Sequence, residues 1–362
     1  MKKSLPRLSF CLSVVVLSTI GLVATSHSPV AATGAGCPVL YVTNSSSDTV
    51  SVIDAATSST TATLSVGAEP EGIALTPDGS TAYVANYLVG NVSVIDTATN
   101  TVTGTIAVGT APFGVAVTPD GTKAYVTNYG NNTVSVINTT TNTVITAIGV
   151  GISPYGVAVT PDGTKAYVTN VNGGTISVID TASNTVTTSI SLGTSPWDVA
   201  ITPDGTRAYI TESYSNSISV IDTATDTLIT AIATPGSRPS GIAITPDGAT
   251  AYATSTNTSG VLVIDTASNT ITTTVPVSSS GYDVAVSPDG TTVYATTSGS
   301  SSLAVIATST NTVIGTIATQ SRPAGIALLD QPCPTPTTTT PTTNPSTSTT
   351  TGSDPIAPAF AG

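Results

Sequence analysis

The segment APFGVAVTPDGTKAYVTN (residues 111–128) is followed 42 residues later by SPYGVAVTPDGTKAYVTN (residues 153–170). Each copy has an alternating apolar run, a Pro-Asp-Gly turn, and a second apolar run that ends in YVTN. The residue after the proline changes from Phe113 to Tyr155, while most of its surroundings stay the same. The repeated segments therefore indicate the fold, and the residues that vary between them indicate the function.

The YVTN-like segment occurs seven times along the chain. Its tyrosines are Tyr41, Tyr83, Tyr125, Tyr167, Tyr209, Tyr252 and Tyr294. The intervals between them are 42, 42, 42, 42, 43 and 42 residues. A period of about 40–45 residues with four short strands per unit is typical of β-propeller blades.

Each unit contains two predicted hairpins. The first joins GVAV to KAYVTN through Pro-Asp-Gly, in which proline presets φ and glycine tolerates a left-handed backbone. The second is TVSVINTTTNTVITAI (residues 133–148), which turns at its Thr/Asn-rich centre. Val, Ile, Thr and Tyr favour strands, and no segment of the unit has a helical period.

The stretch from residue 124 to residue 170 resembles the YVTN-type β-propeller repeat of archaeal surface-layer proteins and exported bacterial propellers. The resemblance covers residues 38–330 and implies an all-β, seven-bladed propeller with four antiparallel strands per blade. In the later copies, Glu212, Ser255 and Thr297 replace the final asparagine of YVTN. The final asparagine is therefore present in four of the seven copies.

The two ends of the repeat region predict how the ring closes. The first YVTN strand, residues 39–44, has no GVAV strand before it, and AGIALLD (residues 324–330) has no YVTN strand after it. The last strand should complete the first blade, which removes open sheet edges. The single extra residue of the 43-residue interval is predicted in the loop within residues 233–241, where it leaves strand register intact.

The chain is predicted to have four parts. Residues 1–32 form a signal peptide, residues 33–37 a short lead-in, residues 38–333 the propeller, and residues 334–362 a disordered Thr/Pro-rich tail. An uncleaved membrane anchor is the alternative for the apolar run at residues 8–24, which is short for a span. We expect a secreted or cell-surface protein.

The cysteines fit an exported protein. Cys11 lies in the predicted signal peptide, which leaves Cys37 and Cys333 on either side of the ring closure. Disulfides persist outside the cytosol, so we expect these two to be bonded. A lipid-modified Cys37 is the alternative, although the preceding residues lack the expected leucine.

Charge and composition exclude several functions. The formal net charge is −12, with 8 basic against 20 acidic side chains. Such a surface disfavours nucleic acids and anionic lipids, whose binding depends on clustered Lys and Arg. After leader cleavage no stretch is long enough to span a membrane, and we expect a monomer that binds a protein, glycan or small molecule.

Catalytic chemistry is restricted by the single histidine, His27, which lies in the predicted leader. The mature propeller therefore has no Ser-His-Asp triad, histidine-ligated haem or histidine-based zinc site. The Pro-Asp-Gly aspartates and those that open the second hairpins are interpreted as turn residues. No cofactor is predicted, apart from a divalent cation held by carboxylates in a lactonase-like alternative.

The channel face carries the candidate ligand site, because the residue after the proline, or after Gly281 in the seventh unit, lies just before or at the start of an innermost strand. At these positions the seven units have Glu71, Phe113, Tyr155, Trp197, Ser240, Tyr282 and Ala324. The full set of predicted ligand-binding residues is Glu71, Tyr87, Phe113, Tyr129, Tyr155, Trp197, Asp198, Glu212, Tyr214, Arg238, Tyr282, Asp283 and Arg322. The competing interpretation is that these rings only cap the channel and fill contacts between blades.

These observations favour an exported binding or interaction module whose ligand or partner occupies the aromatic and acidic channel face. Two alternatives stay open at this point. One is a lactonase-like hydrolase, and the other is a structural component of a surface layer.

Overall fold

Seven antiparallel four-stranded sheets make up residues 38–330, the part of the chain that the computed structural model describes. The sheets are the blades of a propeller, and the predicted fold is confirmed. Outside the described residues lie the predicted signal peptide, the lead-in, the Thr/Pro tail and both cysteines of the expected disulfide.

Each GVAV-type run forms the innermost strand of a blade, and each YVTN-type run forms the second strand. The innermost strands are β4 (Pro70–Leu75), β8 (Pro112–Val117), β12 (Pro154–Val159), β16 (Pro196–Ile201), β20 (Pro239–Ile244), β24 (Val284–Val286) and β28 (Pro323–Leu329). The second strands are β1 (Val39–Asn44), β5 (Thr81–Asn86), β9 (Lys123–Asn128), β13 (Lys165–Asn170), β17 (Arg207–Glu212), β21 (Thr250–Ser255) and β25 (Thr292–Thr297).

The hairpin of each repeat supplies the two outer strands. The third strands are β2 (Thr49–Asp54), β6 (Asn91–Asp96), β10 (Thr133–Asn138), β14 (Thr175–Asp180), β18 (Ser217–Asp222), β22 (Gly260–Asp265) and β26 (Ser302–Ala307). The outermost strands are β3 (Ser59–Ser65), β7 (Thr101–Ala107), β11 (Thr143–Gly149), β15 (Thr185–Ser191), β19 (Thr227–Ala233), β23 (Thr270–Pro276) and β27 (Thr312–Ala318). One 3₁₀ turn, Ser298–Ser300, follows β25.

The ring closes as the sequence predicts. Strand β28 pairs antiparallel with β1, so the first blade has the order β28-β1-β2-β3. We number the blades from this one, so that β4–β7 form blade 2 and β24–β27 form blade 7. An apolar cluster that includes Leu40, Val42, Tyr294 and Ile326 joins blade 7 to blade 1. No helix in the described range is long and apolar enough to cross a membrane.

The extra residue of the long interval lies where it was predicted. The loop between β19 and β20 has five residues (234–238), whereas the loop between β15 and β16 has four (192–195). The strands on either side keep the register of the other blades, because the added residue lies between two strands rather than inside one.

The Pro-Asp-Gly turns depend on bonds that their aspartates accept. Asp120 accepts the Thr118 hydroxyl at 2.5 Å and the Thr122 backbone N–H at 3.0 Å. The Thr118 bond, with that N–H, holds the Asp120 pKa below its usual value. The same two bonds are made by Asp78, Asp162, Asp204, Asp247 and Asp289. The interpretation of these aspartates as turn residues is confirmed.

The YVTN tyrosines connect each blade to the next one. Tyr125 is fully buried, and its hydroxyl donates to Asn184 Oδ1 at 2.8 Å in the second hairpin of the following blade. Asn184 has a φ of 54°, a left-handed conformation that asparagine tolerates well. Tyr41, Tyr83, Tyr167, Tyr209 and Tyr252 bond to the equivalent Asn or Asp. The Asn and Asp partners thus stabilise the turns in which they lie and also the contacts between neighbouring blades.

The predicted disulfide can be tested on the mature, unreduced protein. Val39 pairs with Leu329 at the ring closure, so the chain ends that carry Cys37 and Cys333 leave from neighbouring strands. We expect a thiol reagent to detect no free thiol before reduction and two after it. Two reactive thiols in the unreduced protein, with a leader-free chain confirmed by mass, would contradict the pairing.

Candidate functional site

The start of each innermost strand directs side chains to the mouth of the central channel. In β4, for example, the pairing with β5 is interrupted by a register shift between Pro70 and Ile73, and this bulge contains Glu71. Adjacent innermost strands approach so closely that a Cβ on Gly325 would lie 2.6 Å from the Glu71 carbonyl oxygen. This close approach explains why glycine follows the variable residue in five of the seven units.

Two adjoining cavities occupy the channel mouth. The inner one has a volume of about 130 Å³ and the outer one of about 320 Å³, and the outer volume lies at the lower end of the range of small-molecule sites. Ten of the thirteen predicted residues line one or both cavities: Glu71, Tyr87, Phe113, Tyr129, Tyr155, Trp197, Asp198, Tyr282, Asp283 and Arg322. The repeat thus predicted correctly that these distant positions lie together in the fold. Their role in binding stays a prediction.

The aromatic side chains of blades 3, 4 and 5 form a continuous wall at this mouth. The rings of Phe113 and Tyr155 are stacked with centroids 3.6 Å apart, and the Tyr155 and Trp197 centroids are 4.3 Å apart. Tyr87 from blade 2 meets Phe113 edge-on at 6.2 Å. We call Phe113, Tyr155 and Trp197 the aromatic wall.

Carboxylates lie beside the aromatic wall. Glu71 is only 7% exposed, and among residues 38–330 its carboxylate has no hydrogen bond and no ion pair. Burial raises its pKa to about 7, although the charge of Arg322 acts in the opposite direction. A buried carboxyl without a partner favours the neutral acid, since desolvation penalises the charged form.

Asp198 and Asp283 replace the glycine that follows the variable residue in blades 5 and 7. Asp198 Oδ2 accepts the Ile242 backbone N–H at 3.0 Å, and Asp283 Oδ2 accepts the Ile326 backbone N–H at 2.9 Å. Each aspartate therefore bonds to the innermost strand of the following blade. Burial raises the pKa of both, and the charge of Asp198 raises the pKa of Asp283 further.

Three predicted site residues lie outside both cavities. Glu212, which is 2% exposed, bonds to Ser217 and Ser219 inside its own blade, in the position that asparagine occupies in other blades. Tyr214 is 61% exposed, and the exposed Arg238 lies over its ring at 5.0 Å. These three residues do not line the cavities that the other ten border.

The reasons for the positions of these three residues are local. Tyr87 directly follows the last residue of its second strand. Tyr214 comes two residues after Glu212, the last residue of its second strand, and because of this one-residue offset its ring points to solvent. The corresponding residue in blade 5 is Ser213. Arg238 lies at the end of the five-residue loop before β20. Glu212 ends β17, and the last residue of a second strand faces the blade interior.

The sequence reasoning missed two residues of the outer cavity, Glu69 and Val171. Val171 directly follows Asn170, as Tyr87 and Tyr129 follow the final asparagines of their strands, so the alignment could have identified it. Glu69 lies two residues before Glu71 in a left-handed conformation with a φ of 48°. Within the described residues, no three His, Cys, Asp or Glu side chains are grouped so that they could hold a metal ion.

Fold and site together define a seven-bladed propeller with an aromatic and acidic cavity at one mouth of its channel. The chain belongs to the YNCE-like beta-propeller family, whose profile matches residues 8–129 and 121–312. The membership confirms a β-propeller family, while the finer assignment to YVTN-type repeats stays a prediction. No curated protein matched the sequence.

Solved structures share the architecture. Hydrazine synthase of Kuenenia stuttgartiensis is 26% identical, with a TM-score of 0.70 over 75% of this chain and 92% of that chain. A functionally unknown protein from Desulfotomaculum acetoxidans is 21% identical, with a TM-score of 0.72 over 81% and 99% of the two chains. A Bacteroides uniformis protein assigned as a 6-phosphogluconolactonase is 16% identical, with a TM-score of 0.69 over 81% and 100%. The last two similarities show the fold alone.

Proposed function

We propose that the protein is an exported binding module, at the cell surface or outside the cell, whose ligand occupies the channel mouth. The observation that carries this proposal is the aromatic wall beside the unpartnered carboxylate of Glu71. Export is inferred from the predicted leader, and ligand binding from the geometry of the mouth.

Ligand binding accounts for the wall better than blade packing does. The tyrosines that pack between blades, such as Tyr125, are fully buried. Phe113, Tyr155 and Trp197 instead keep part of their surface open to the cavities. Aromatic rings that stay partly exposed in a concave site offer apolar surface to a ligand.

The aromatic wall can be tested by substitution of Trp197, the only tryptophan of the chain. We expect its emission to change when a panel of soluble organic cations and neutral sugars includes a ligand. In calorimetry, Trp197→Ala should raise the dissociation constant of that ligand at least about tenfold, which corresponds to about 1.4 kcal/mol of binding free energy. The midpoint of thermal unfolding should change little.

Tyr214→Ala serves as the matched control, because this exposed ring lies outside both cavities. It should leave the affinity unchanged. A large drop of the thermal midpoint in Trp197→Ala, with no ligand found in the panel, would support the packing interpretation. Metal analysis tests the lactonase-like alternative, and assembly of the purified protein into sheets tests the surface-layer alternative.

A further inference from the structure

The carboxylate of Glu71 is the starting point for the chemical class of the ligand. The Glu71 residue is 7% exposed, and its side chain borders both cavities. Within residues 38–330 it accepts no hydrogen bond, and Arg322 does not come within ion-pair distance of it. A buried charge without a partner is costly, so this position is suited to a cationic group supplied from outside.

Other charges at the mouth favour a cation in the same way. Glu69 and Glu71 border the outer cavity, and Asp198 and Asp283 border the inner one. Arg322 is the one basic residue that lines either cavity in the described part of the chain. Four acids against one base, in a concave site of an acidic protein, attract cations and repel anions.

The rings on this face already bind cations of the protein itself. The guanidinium of Arg322 lies 5.5 Å from the ring centroid of Tyr282, and Arg238 lies 5.0 Å from that of Tyr214. The Arg322 side chain thus covers the ring of Tyr282. No Lys or Arg of the described residues stacks on the aromatic wall. Ring faces beside carboxylates attract a desolvated cation through the ring quadrupole.

The variable position is not aromatic in every blade. Blade 6 contributes Ser240 and blade 1 contributes Ala324 at the positions where blades 3, 4 and 5 have rings. Ala324 lines the inner cavity, so its short side chain leaves space there that a ring would fill.

We propose that the channel mouth binds a small organic cation, an ammonium or quaternary ammonium group that lies against the aromatic wall with Glu71 as its counter-ion. This inference rests on the proposed function and specifies its ligand class. The carboxylates of Asp198 and Asp283 are held by backbone N–H groups, and they add negative potential from the inner cavity.

Tetramethylammonium chloride is the direct probe, titrated into the full-length protein at constant ionic strength. We expect saturable binding at pH 8 that weakens at least about tenfold in Glu71→Gln and in Trp197→Ala, with Trp197→Phe restoring most of the affinity. Glu212→Gln is the matched control, since Glu212 is an equally buried acid outside both cavities. It should leave the affinity unchanged.

Binding should also depend on pH. The ionisable groups that face Glu71 across the cavities are Glu69, Tyr87, Tyr129, Tyr155, Asp198, Tyr282, Asp283 and Arg322. Lowering the pH from 8 to 5 protonates the buried carboxyls, so affinity for tetramethylammonium should fall. At pH 7 binding should release protons, seen as a heat that varies with the ionisation enthalpy of the buffer.

The outcomes separate the two proposals. Binding of neutral sugars without tetramethylammonium would overturn the cation inference and leave the proposed function intact. If neither binds and the wall variants lose only stability, both fail. A second experiment uses vesicles whose lipids have choline headgroups. If the protein binds both the vesicles and free tetramethylammonium, a lipid is the source of the cation. If it binds the vesicles but not free tetramethylammonium, the inference is contradicted.

Discussion

Tyr125→Ala is expected to lower the free energy of unfolding by about 3–5 kcal/mol, as for other buried aromatic side chains that are cut back to alanine. Tyr125 is fully buried between blades 3 and 4, and it packs against Val157, Ala166 and Ile179 of the next blade. The substitution creates a cavity and also removes the hydrogen bond to Asn184. Urea denaturation followed by circular dichroism measures the loss.

Two further variants separate packing from hydrogen bonding. Tyr125→Phe keeps the ring and removes only the hydroxyl, so it should cost about 1 kcal/mol. Tyr214→Ala removes an exposed ring and should leave the urea midpoint unchanged. If Tyr125→Ala were as mild as Tyr214→Ala, the YVTN tyrosines would not be the contacts that stabilise the blade interfaces.

The repeat made the fold predictable because one unit contains both the strand pattern and the turn chemistry. Seven copies fix the number of blades, and the incomplete units at the two ends fix the closure of β28 onto β1. The variable position before each innermost run was also predictable, since six of the seven copies bring it to the lining of the same mouth. Ten site residues could therefore be placed together although they come from six different blades.

Contacts between blades were not predictable in the same way. Tyr125 and Asn184 are 59 residues apart, and only the packing of neighbouring blades brings them to 2.8 Å. The side-chain directions of Tyr214 and Glu212 were not predictable either, because the repeat locates their segments but not the way each side chain turns. The isolation of Glu71 depends on the burial that the assembled ring produces.

The buried carboxyls at the mouth predict a second large effect, a loss of stability as the pH rises from 5 to 8. The pKa of Glu71 is raised to about 7 in the folded protein, and those of Asp198 and Asp283 are raised as well. In this range the native state therefore holds protons that the unfolded chain has already lost. Stability falls with pH wherever the native state binds more protons than the unfolded state.

Few other groups complicate this window. The turn aspartates have lowered pKa values, so the stability that they contribute is fully present at pH 5 and stays constant up to pH 8. The only histidine, His27, lies in the predicted leader and is removed in the mature protein if the leader is cleaved. The urea midpoint of the mature protein should thus fall steadily between pH 5 and pH 8, and a flat or rising midpoint would contradict the burial of ionisable groups at the mouth.

Glu71→Gln should remove a large part of this dependence. A carboxyl whose pKa moves from 4.5 to about 7 destabilises the fold by on the order of 2–3 kcal/mol once it is ionised. The variant should therefore be more stable than the wild type at pH 8 and nearly equal to it at pH 4, since both pKa values then lie above or near the pH. Asp120→Asn is the contrasting control, because Asp120 stays charged throughout the range from 5 to 8 and its loss should lower the midpoint equally at each pH. An unchanged slope in Glu71→Gln would mean that Glu71 is hydrated or paired in solution, and that it does not cause the loss of stability at high pH.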